Sequence, residues 1–148
     1  MSPTDELTAR EAIAALVHRY ADAVVRRDKD QWEACWAQDA RWQLGPGRSV
    51  EGRADIVDLW VKAMSGFAAV VQMVNNGAVH VDGSAAAGRW YINEHVVRVN
   101  GAPGLLLAYY DDTYVLVNGD WLFASRSLVA QYQGPPDLSA PFLNRVVQ

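Results

Sequence analysis

The chain has 148 residues and is 51% hydrophobic, which predicts a single domain spanning 1–148 with a substantial core. Its formal net charge is −4 and it has no run of Lys or Arg, which argues against nucleic-acid binding, because phosphate recognition needs a basic surface. No apolar stretch is long enough to cross a membrane, and the polar N-terminus lacks the features of a signal peptide. A single cysteine excludes a disulfide within the chain, so we expect a cytoplasmic protein.

The first part of the chain has the periodicity of amphipathic helices. A helix is predicted from about Asp5 to Arg27, because its apolar residues recur at i, i+3, i+4 and i+7. These residues are Ile13, Leu16, Val17, Tyr20 and Val24. Asp28 and Gln31 form a capping pattern that predicts the start of a second helix, and a third helix is expected over 53–64.

After Gly66 the pattern becomes that of β-strands separated by turns. The signals include Asn118-Gly119, a dipeptide typical of tight hairpins. Strands are expected at 40–44, 67–75, 78–82, 86–99, 105–117 and 120–132. Helices followed by an antiparallel meander predict an α+β fold, in which N-terminal helices pack in a curved antiparallel sheet around a pocket.

Two further local features are predicted for this second part of the chain. Gly77 and Gly88 are candidate bulge positions, since curvature of a sheet usually requires bulges. The Pro-rich tail, 134–148, is expected to be irregular, with Phe142 and Leu143 returning to the body of the domain.

Four segments resemble a known family. The first segment is AIAALVHRYADAVVRRDKDQWEACWAQDARWQL, and the later ones are VDGSAAAGRWYINE, YYDDTYVLVNGDWLFASR and YQGPPDLS. The first resembles the opening helices of SnoaL-like and scytalone dehydratase-like proteins of the nuclear transport factor 2-like superfamily. The later segments resemble the later strands and the tail of the same proteins. The resemblance covers nearly the whole chain. It implies a cone-shaped, cystatin-like α+β barrel, an apolar pocket, no metal or organic cofactor, and a homodimer or homotrimer.

The resemblance also implies that a catalytic dyad is missing. Dehydratase-type members pair a buried Asp on the first helix with a His on the first long strand. In this chain Val25 and Gln72 stand at those positions. Neither side chain exchanges a proton near neutral pH, so the dehydratase mechanism is not expected to carry over unchanged.

Three residues are candidates for acid–base or hydrogen-bonding chemistry. Tyr20 corresponds by resemblance to a pocket tyrosine, and it is expected either to donate to a substrate oxygen or to be a core residue bonded to another side chain. Glu94 and His95 are adjacent in a strand, so they point to opposite faces. Glu94 shares the parity of the apolar residues Trp90 and Ile92, which favours a pocket carboxyl with a raised pKa, whereas a bulge would bring His95 there instead.

Arg126 is the fourth catalytic candidate. It alternates with apolar residues on the last strand, and an inward arginine needs a carboxylate or an anionic ligand. By resemblance it matches a region where family enzymes place an arginine that polarises a leaving group or a carbonyl. The alternative is structural pairing with Glu94 or Asp111. Asp111, Arg126 and Glu94 also loosely imitate the Asp–Arg–Asp arrangement of superfamily epoxide hydrolases.

The remaining candidates are expected to bind substrate. Gln72 is expected to orient a ligand through its amide, and Asn76 shares its side of the strand if no bulge intervenes. The other expected wall residues are Val25, Trp36, Trp42, Trp60 and Trp90. No pair of His residues and no carboxylate cluster has metal-ligand spacing, so no metal site is predicted.

The sequence therefore favours a cofactor-independent enzyme that acts on a small, largely apolar metabolite by proton transfer, as a dehydratase, an isomerase or a polyketide-type cyclase. The alternative is a non-catalytic protein that binds small hydrophobic ligands, and an epoxide hydrolase is a third hypothesis. A titratable Glu94 in an accessible cavity favours the enzyme, whereas a tightly paired Glu94 in a filled interior favours the binding protein.

Overall fold

A computed structural model of the chain describes residues 2–144. Three helices come first: α1, Pro3–Arg26; α2, Lys29–Glu33; and α3, Arg53–Met64. Helix α1 begins with a capping box, in which the Ser2 hydroxyl accepts from the Asp5 amide and the Asp5 carboxylate accepts from the Ser2 amide. Its C-cap is Arg27, whose left-handed φ of 56° turns the chain into α2.

The six strands form one curved sheet. They are β1, Trp36–Gly45; β2, Arg48–Glu51; β3, Phe67–Asp82; β4, Ala85–Arg98; β5, Pro103–Val117; and β6, Asp120–Gly134. Their order is β2-β1-β6-β5-β4-β3, with β3 to β6 as an antiparallel meander and β1 parallel to β6. The edge strands β2 and β3 do not pair with each other, so the expected barrel is open. The predicted α+β fold, with N-terminal helices against a curved sheet, is confirmed.

The strands differ from the prediction in three places. The expected break between 75 and 78 is a bulge within the continuous strand β3, where the register shifts between Val74 and Gly77. At Gly88 the expected bulge is absent: this residue pairs in register with Asp112. Strand β2 was not predicted, because its four residues lack an apolar alternation and extend only by pairing with β1.

The helices bury one face against the sheet. Ile13, Leu16 and Val17 of α1 are fully enclosed, which contributes roughly 1.5–3 kcal/mol per side chain. Trp32 of α2 stacks on Trp60 of α3, with 4.5 Å between ring centroids and an angle of 9°. These side chains belong to the main hydrophobic core. Within 2–144, no helix is long and apolar enough to cross a membrane.

The tail returns to the body as expected, as far as residue 144. The Phe142 ring lies 4.8 Å from that of Tyr132, and the Leu143 amide donates to the Gln131 carbonyl over 2.8 Å. The last four positions of the predicted irregular segment, 145–148, lie outside the described residues.

Candidate active site

A cavity of about 940 Å³ opens between the helices and the concave face of the sheet. Most of its wall is apolar. The apolar lining includes Val24, Trp42, Leu59, Trp60, Leu106 and Leu128. Six polar side chains that are buried or half-buried also line it, namely Tyr20, Gln43, Gln72, Glu94, Tyr110 and Ser127. This combination suits a largely apolar ligand that offers a few polar atoms.

Glu94 and Gln72 reach the cavity as a cross-strand pair. They are directly opposite each other in the β3–β4 ladder, so both side chains project from the same face of the sheet. The Gln72 Nε2 donates to the Glu94 Oε2 over 2.9 Å. Within 2–144, Glu94 has no ion pair, and the Gln72 Oε1 has no hydrogen-bond partner although it is buried.

Burial raises the pKa of the Glu94 carboxyl, since a charge is poorly solvated in this wall. The hydrogen bond from Gln72 favours the ionised form and acts in the opposite direction. The net shift is upward, which brings the group closer to neutral pH than an exposed glutamate. Glu94 is therefore suited to taking up and returning a proton.

Two tyrosines lie next to each other in the same wall, with their rings edge to face. Tyr20 comes from α1 and Tyr110 from β5, with ring centroids 6.0 Å apart at 74°. Both are almost fully buried. Burial is the main reason that the pKa of each hydroxyl lies above its ordinary value, so both are neutral hydrogen-bonding groups at physiological pH.

Arg126 lies behind these tyrosines and does not line the cavity. Its guanidinium forms a bidentate pair with Asp112, with Nε–Oδ1 at 2.8 Å and Nη2–Oδ2 at 3.1 Å. The guanidinium carbon is 3.7 Å from the ring centroid of Tyr110 and 4.3 Å from that of Tyr20. The expected pairing of Arg126 with Glu94 or Asp111 is therefore wrong.

The partner is Asp112 because of strand alternation. Asp111 points to the outer face, where it pairs with Arg89 over 2.7 Å, whereas Asp112 points inward and lies opposite Arg126 in the β5–β6 ladder. Tyr114 also donates to Asp112, over 2.8 Å. The Asp111–Arg126–Glu94 arrangement considered for an epoxide hydrolase is therefore not formed.

Three other expected site residues are outside the cavity. His95 is exposed on the outer face of β4, because the strand has no bulge that would reverse its alternation with Glu94. Asn76 lies in the bulge of β3 and is exposed. Val25 is 40% exposed, whereas its neighbour Val24 lines the cavity, since one residue along a helix turns the side chain by about 100°.

Two of the four candidate tryptophans line the cavity, and the other two lie in the core. Trp42 and Trp60 line the cavity. Trp36 is fully enclosed in the core, with its ring 6.1 Å from that of Tyr20. Trp90 is also a core residue, whose indole Nε1 donates to the Tyr114 hydroxyl over 3.0 Å. Trp36 and Trp90 therefore do not line the cavity.

Tyr110 was missed at the sequence level. A signal was present, because Tyr110, Asp112 and Tyr114 alternate along one strand and must share a face. Within 2–144, no group of three His, Cys, Asp or Glu residues is arranged to hold an ion.

Comparison with solved structures places this geometry among known folds. The chain is similar to the hexachlorocyclohexane dehydrochlorinase LinA-type3 from Novosphingobium barchaimii LL02, with 20% identity, a TM-score of 0.84 and coverage of 98% of this chain and 100% of that one. It is similar to a protein assigned as a scytalone dehydratase from Novosphingobium aromaticivorans DSM 12444, with 20% identity, a TM-score of 0.85 and coverage of 97% and 99%.

A third similar structure is a nuclear transport factor 2-like superfamily protein from Salmonella enterica serovar Typhimurium LT2. It has 16% identity and a TM-score of 0.77, with coverage of 83% of this chain and 91% of that one. At these identities the likeness shows the fold.

No curated protein matches the sequence. A family model described as a SnoaL-like domain matches residues 5–127, which is most of the chain. The chain therefore belongs to the SnoaL-like domain family and has the fold of the nuclear transport factor 2-like superfamily.

Proposed function

We propose that this protein is a cofactor-independent lyase or isomerase that acts on a small, largely apolar metabolite, with Glu94 as the group that moves the proton. One observation carries the proposal. A carboxyl with a pKa raised by burial lines an otherwise mostly apolar cavity, and its hydrogen-bond partner is the neutral amide of Gln72. A carboxylate held in this way is a stronger base than one in water.

The chemistry begins when ionised Glu94 takes a proton from the carbon next to a substrate carbonyl. The C–H electron pair then forms an enolate. In an elimination, this pair forms the new C=C bond while the β-carbon–oxygen bond breaks. The departing hydroxide takes the proton from Glu94 and leaves as water, which restores the carboxylate. In an isomerisation, the same proton returns to a different carbon.

Gln72 has a defined part in this cycle. Its amide N–H stabilises the carboxylate form of Glu94, and when Glu94 is protonated a rotated amide can accept the acid O–H through Oε1. A single residue thus supports both protonation states of its partner. This pair would act in place of the Asp–His dyad of dehydratase-type members, whose positions the resemblance assigns to Val25 and Gln72 in this chain.

The comparisons support this class of reaction without specifying it. Two of the similar structures are named for eliminations, a dehydrochlorination and a dehydration. Whether this chain eliminates, isomerises or cyclises its substrate depends on the substrate itself. All three reactions share the first proton transfer, so an assay of that step tests the proposal in its general form.

The test is exchange of the C2 protons of 1-tetralone in D2O, followed by NMR. This rigid, apolar ketone reports removal of a proton next to a carbonyl, whatever the later steps. We expect Glu94→Gln to lose about 10²–10⁴-fold in exchange rate, the usual contribution of a general base. Tyr20→Phe is the control, and it should cost less because it removes one hydrogen bond and keeps the ring.

The pH dependence provides a second readout. The ionised form of Glu94 is the base, so the wild-type exchange rate should rise with pH through the raised pKa of Glu94 and then reach a plateau. Wild-type rates in Glu94→Gln would remove this residue from the mechanism.

The second candidate is a non-catalytic binding protein, and the replacement of the dyad by Val25 and Gln72, which the resemblance implies, favours it. It predicts that 1-tetralone binds and alters the fluorescence of Trp42 and Trp60. It also predicts that exchange in the presence of wild-type protein does not exceed the buffer rate. That outcome would refute the enzyme and leave the cavity as a ligand-binding site.

We further propose assembly as a homodimer or homotrimer through the outer face of the sheet. Val71 and Met73 are 41% and 53% exposed on that face. Sedimentation of the wild type should show a multiple of the 16.3 kDa chain, and Met73→Glu should reduce it to a monomer. A monomeric wild type would contradict the assembly without affecting the proposed chemistry.

A further inference from the structure

Tyr110 lies on the cavity wall together with the proposed base. It projects from β5 on the same face as Asp112, and its side chain is 4% exposed. The cavity wall brings Tyr110, Tyr20, Gln72 and Glu94 together. Removal of a proton next to a carbonyl places negative charge on the carbonyl oxygen, so the reaction needs a hydrogen-bond donor at that oxygen as well as a base.

The position of Arg126 distinguishes Tyr110 from Tyr20. Its guanidinium carbon is 3.7 Å from the Tyr110 ring centroid and 4.3 Å from the Tyr20 ring centroid. Two hydrogen bonds to Asp112 hold the guanidinium in this orientation. A cation against the face of a phenol attracts its electrons and makes the hydroxyl a stronger donor. The effect is larger for the ring that lies closer.

The surroundings of the Tyr110 hydroxyl act in both directions. Burial is the main influence and raises the pKa of Tyr110, the Arg126 cation lowers it, and the Glu94 carboxylate raises it. Burial is also the main reason that the pKa of Tyr20 is raised. The closer approach of the Arg126 guanidinium to the Tyr110 ring is therefore the feature that separates the two tyrosines.

We propose that Tyr110, rather than Tyr20, is the catalytic residue that donates a hydrogen bond to the substrate oxygen while Glu94 removes the neighbouring proton. The inference rests on the proposed function and makes it more specific. It names the substrate class as carbonyl compounds with an acidic C–H beside the carbonyl. Arg126 is then a positioning residue that acts through the Tyr110 ring.

The first test compares Tyr110→Phe with Tyr20→Phe in the 1-tetralone exchange assay. Both variants keep the ring and its contact with Arg126, so both should fold. Loss of a donor to a developing oxyanion lowers kcat by about 10²–10³-fold, which is the expected result for Tyr110→Phe. We expect less than a tenfold loss for Tyr20→Phe. An equal loss in the two variants, or a larger one in Tyr20→Phe, would overturn the inference.

The second test does not depend on turnover. 1-Naphthol is a planar analogue of the enol of 1-tetralone, and 1-methylnaphthalene has a body of similar size without an oxygen that could accept a hydrogen bond. By calorimetry, the wild type should prefer 1-naphthol, and Tyr110→Phe should weaken its binding at least tenfold while 1-methylnaphthalene is unaffected. A wild type without this preference, or a Tyr110→Phe variant that retains it, would overturn the inference.

The two proposals can fail separately. If Glu94→Gln keeps wild-type exchange, the proposed base is wrong whatever the naphthol titrations show. If Glu94→Gln abolishes exchange but Tyr110→Phe behaves as wild type in both assays, the enzyme stands and only the assignment of Tyr110 fails.

Discussion

The buried pair of Arg126 and Asp112 allows a quantitative prediction. Their side chains are 1% and 0% exposed, and two hydrogen bonds join them. Asp112→Asn keeps the shape but removes the charge, which leaves a buried guanidinium without a counter-ion. Breaking a buried pair in this way costs about 3–5 kcal/mol of the free energy of unfolding. With a denaturant slope of roughly 2 kcal/mol per M, the urea midpoint should fall by about 2 M.

Strand β5 also carries a matched control, in a pair with β4. Arg89 and Asp111 form a bidentate pair at 2.7 and 3.1 Å, but both side chains are 47% exposed. Solvent replaces the lost interaction at such a site, so Asp111→Asn should leave the urea midpoint unchanged within error. Urea unfolding followed by tryptophan fluorescence measures both variants. Similar midpoints for Asp112→Asn and Asp111→Asn would show that burial does not increase the contribution of an ion pair to the free energy of unfolding.

Two other predictions concern stability. The folded pKa of Glu94 lies above its unfolded value, so its contribution to stability is complete below about pH 4 and is lost as pH rises through the folded pKa. Glu94→Gln should therefore have a higher urea midpoint than the wild type near neutral pH. This difference should vanish in acid. A lower midpoint for Glu94→Gln at neutral pH would contradict the burial of a charge at this position. Gly77→Ala should cost about 1–3 kcal/mol in urea unfolding, because its Cβ would lie 2.5 Å from ring carbons of Trp90. Gly66→Ala is its control, since the nearest atom would be 3.4 Å away, and equal midpoints would refute the close approach.

The helices and most strands could be predicted from local sequence. The apolar residues of α1 recur at helical spacing, and they are the residues that the structure buries. The Asn118-Gly119 turn likewise joins two strands that pair in the expected antiparallel order. Such features depend on residues close in sequence, so their pattern survives in the chain before any tertiary contact forms.

Strand parity predicted the direction of Glu94 correctly, because no bulge interrupts β4. The same reasoning could not place Asn76, since the bulge of β3 lies between Val74 and Gly77 and displaces it from the pattern. Whether a bulge forms depends on the neighbouring strand as well as on the bulged one, so parity is reliable only within an uninterrupted ladder.

The sequence by itself determined the α+β class, the amphipathic face of α1 and the inward side of β4, because each follows from the period of a single element. Only the tertiary structure decided that Arg126 pairs with Asp112, that Tyr110 joins Tyr20 on the cavity wall, and that β1 runs parallel to β6. Those outcomes depend on register and curvature across elements distant in sequence. A one-residue change of register exchanges the inward and outward sides of a whole strand, and no local pattern records that choice.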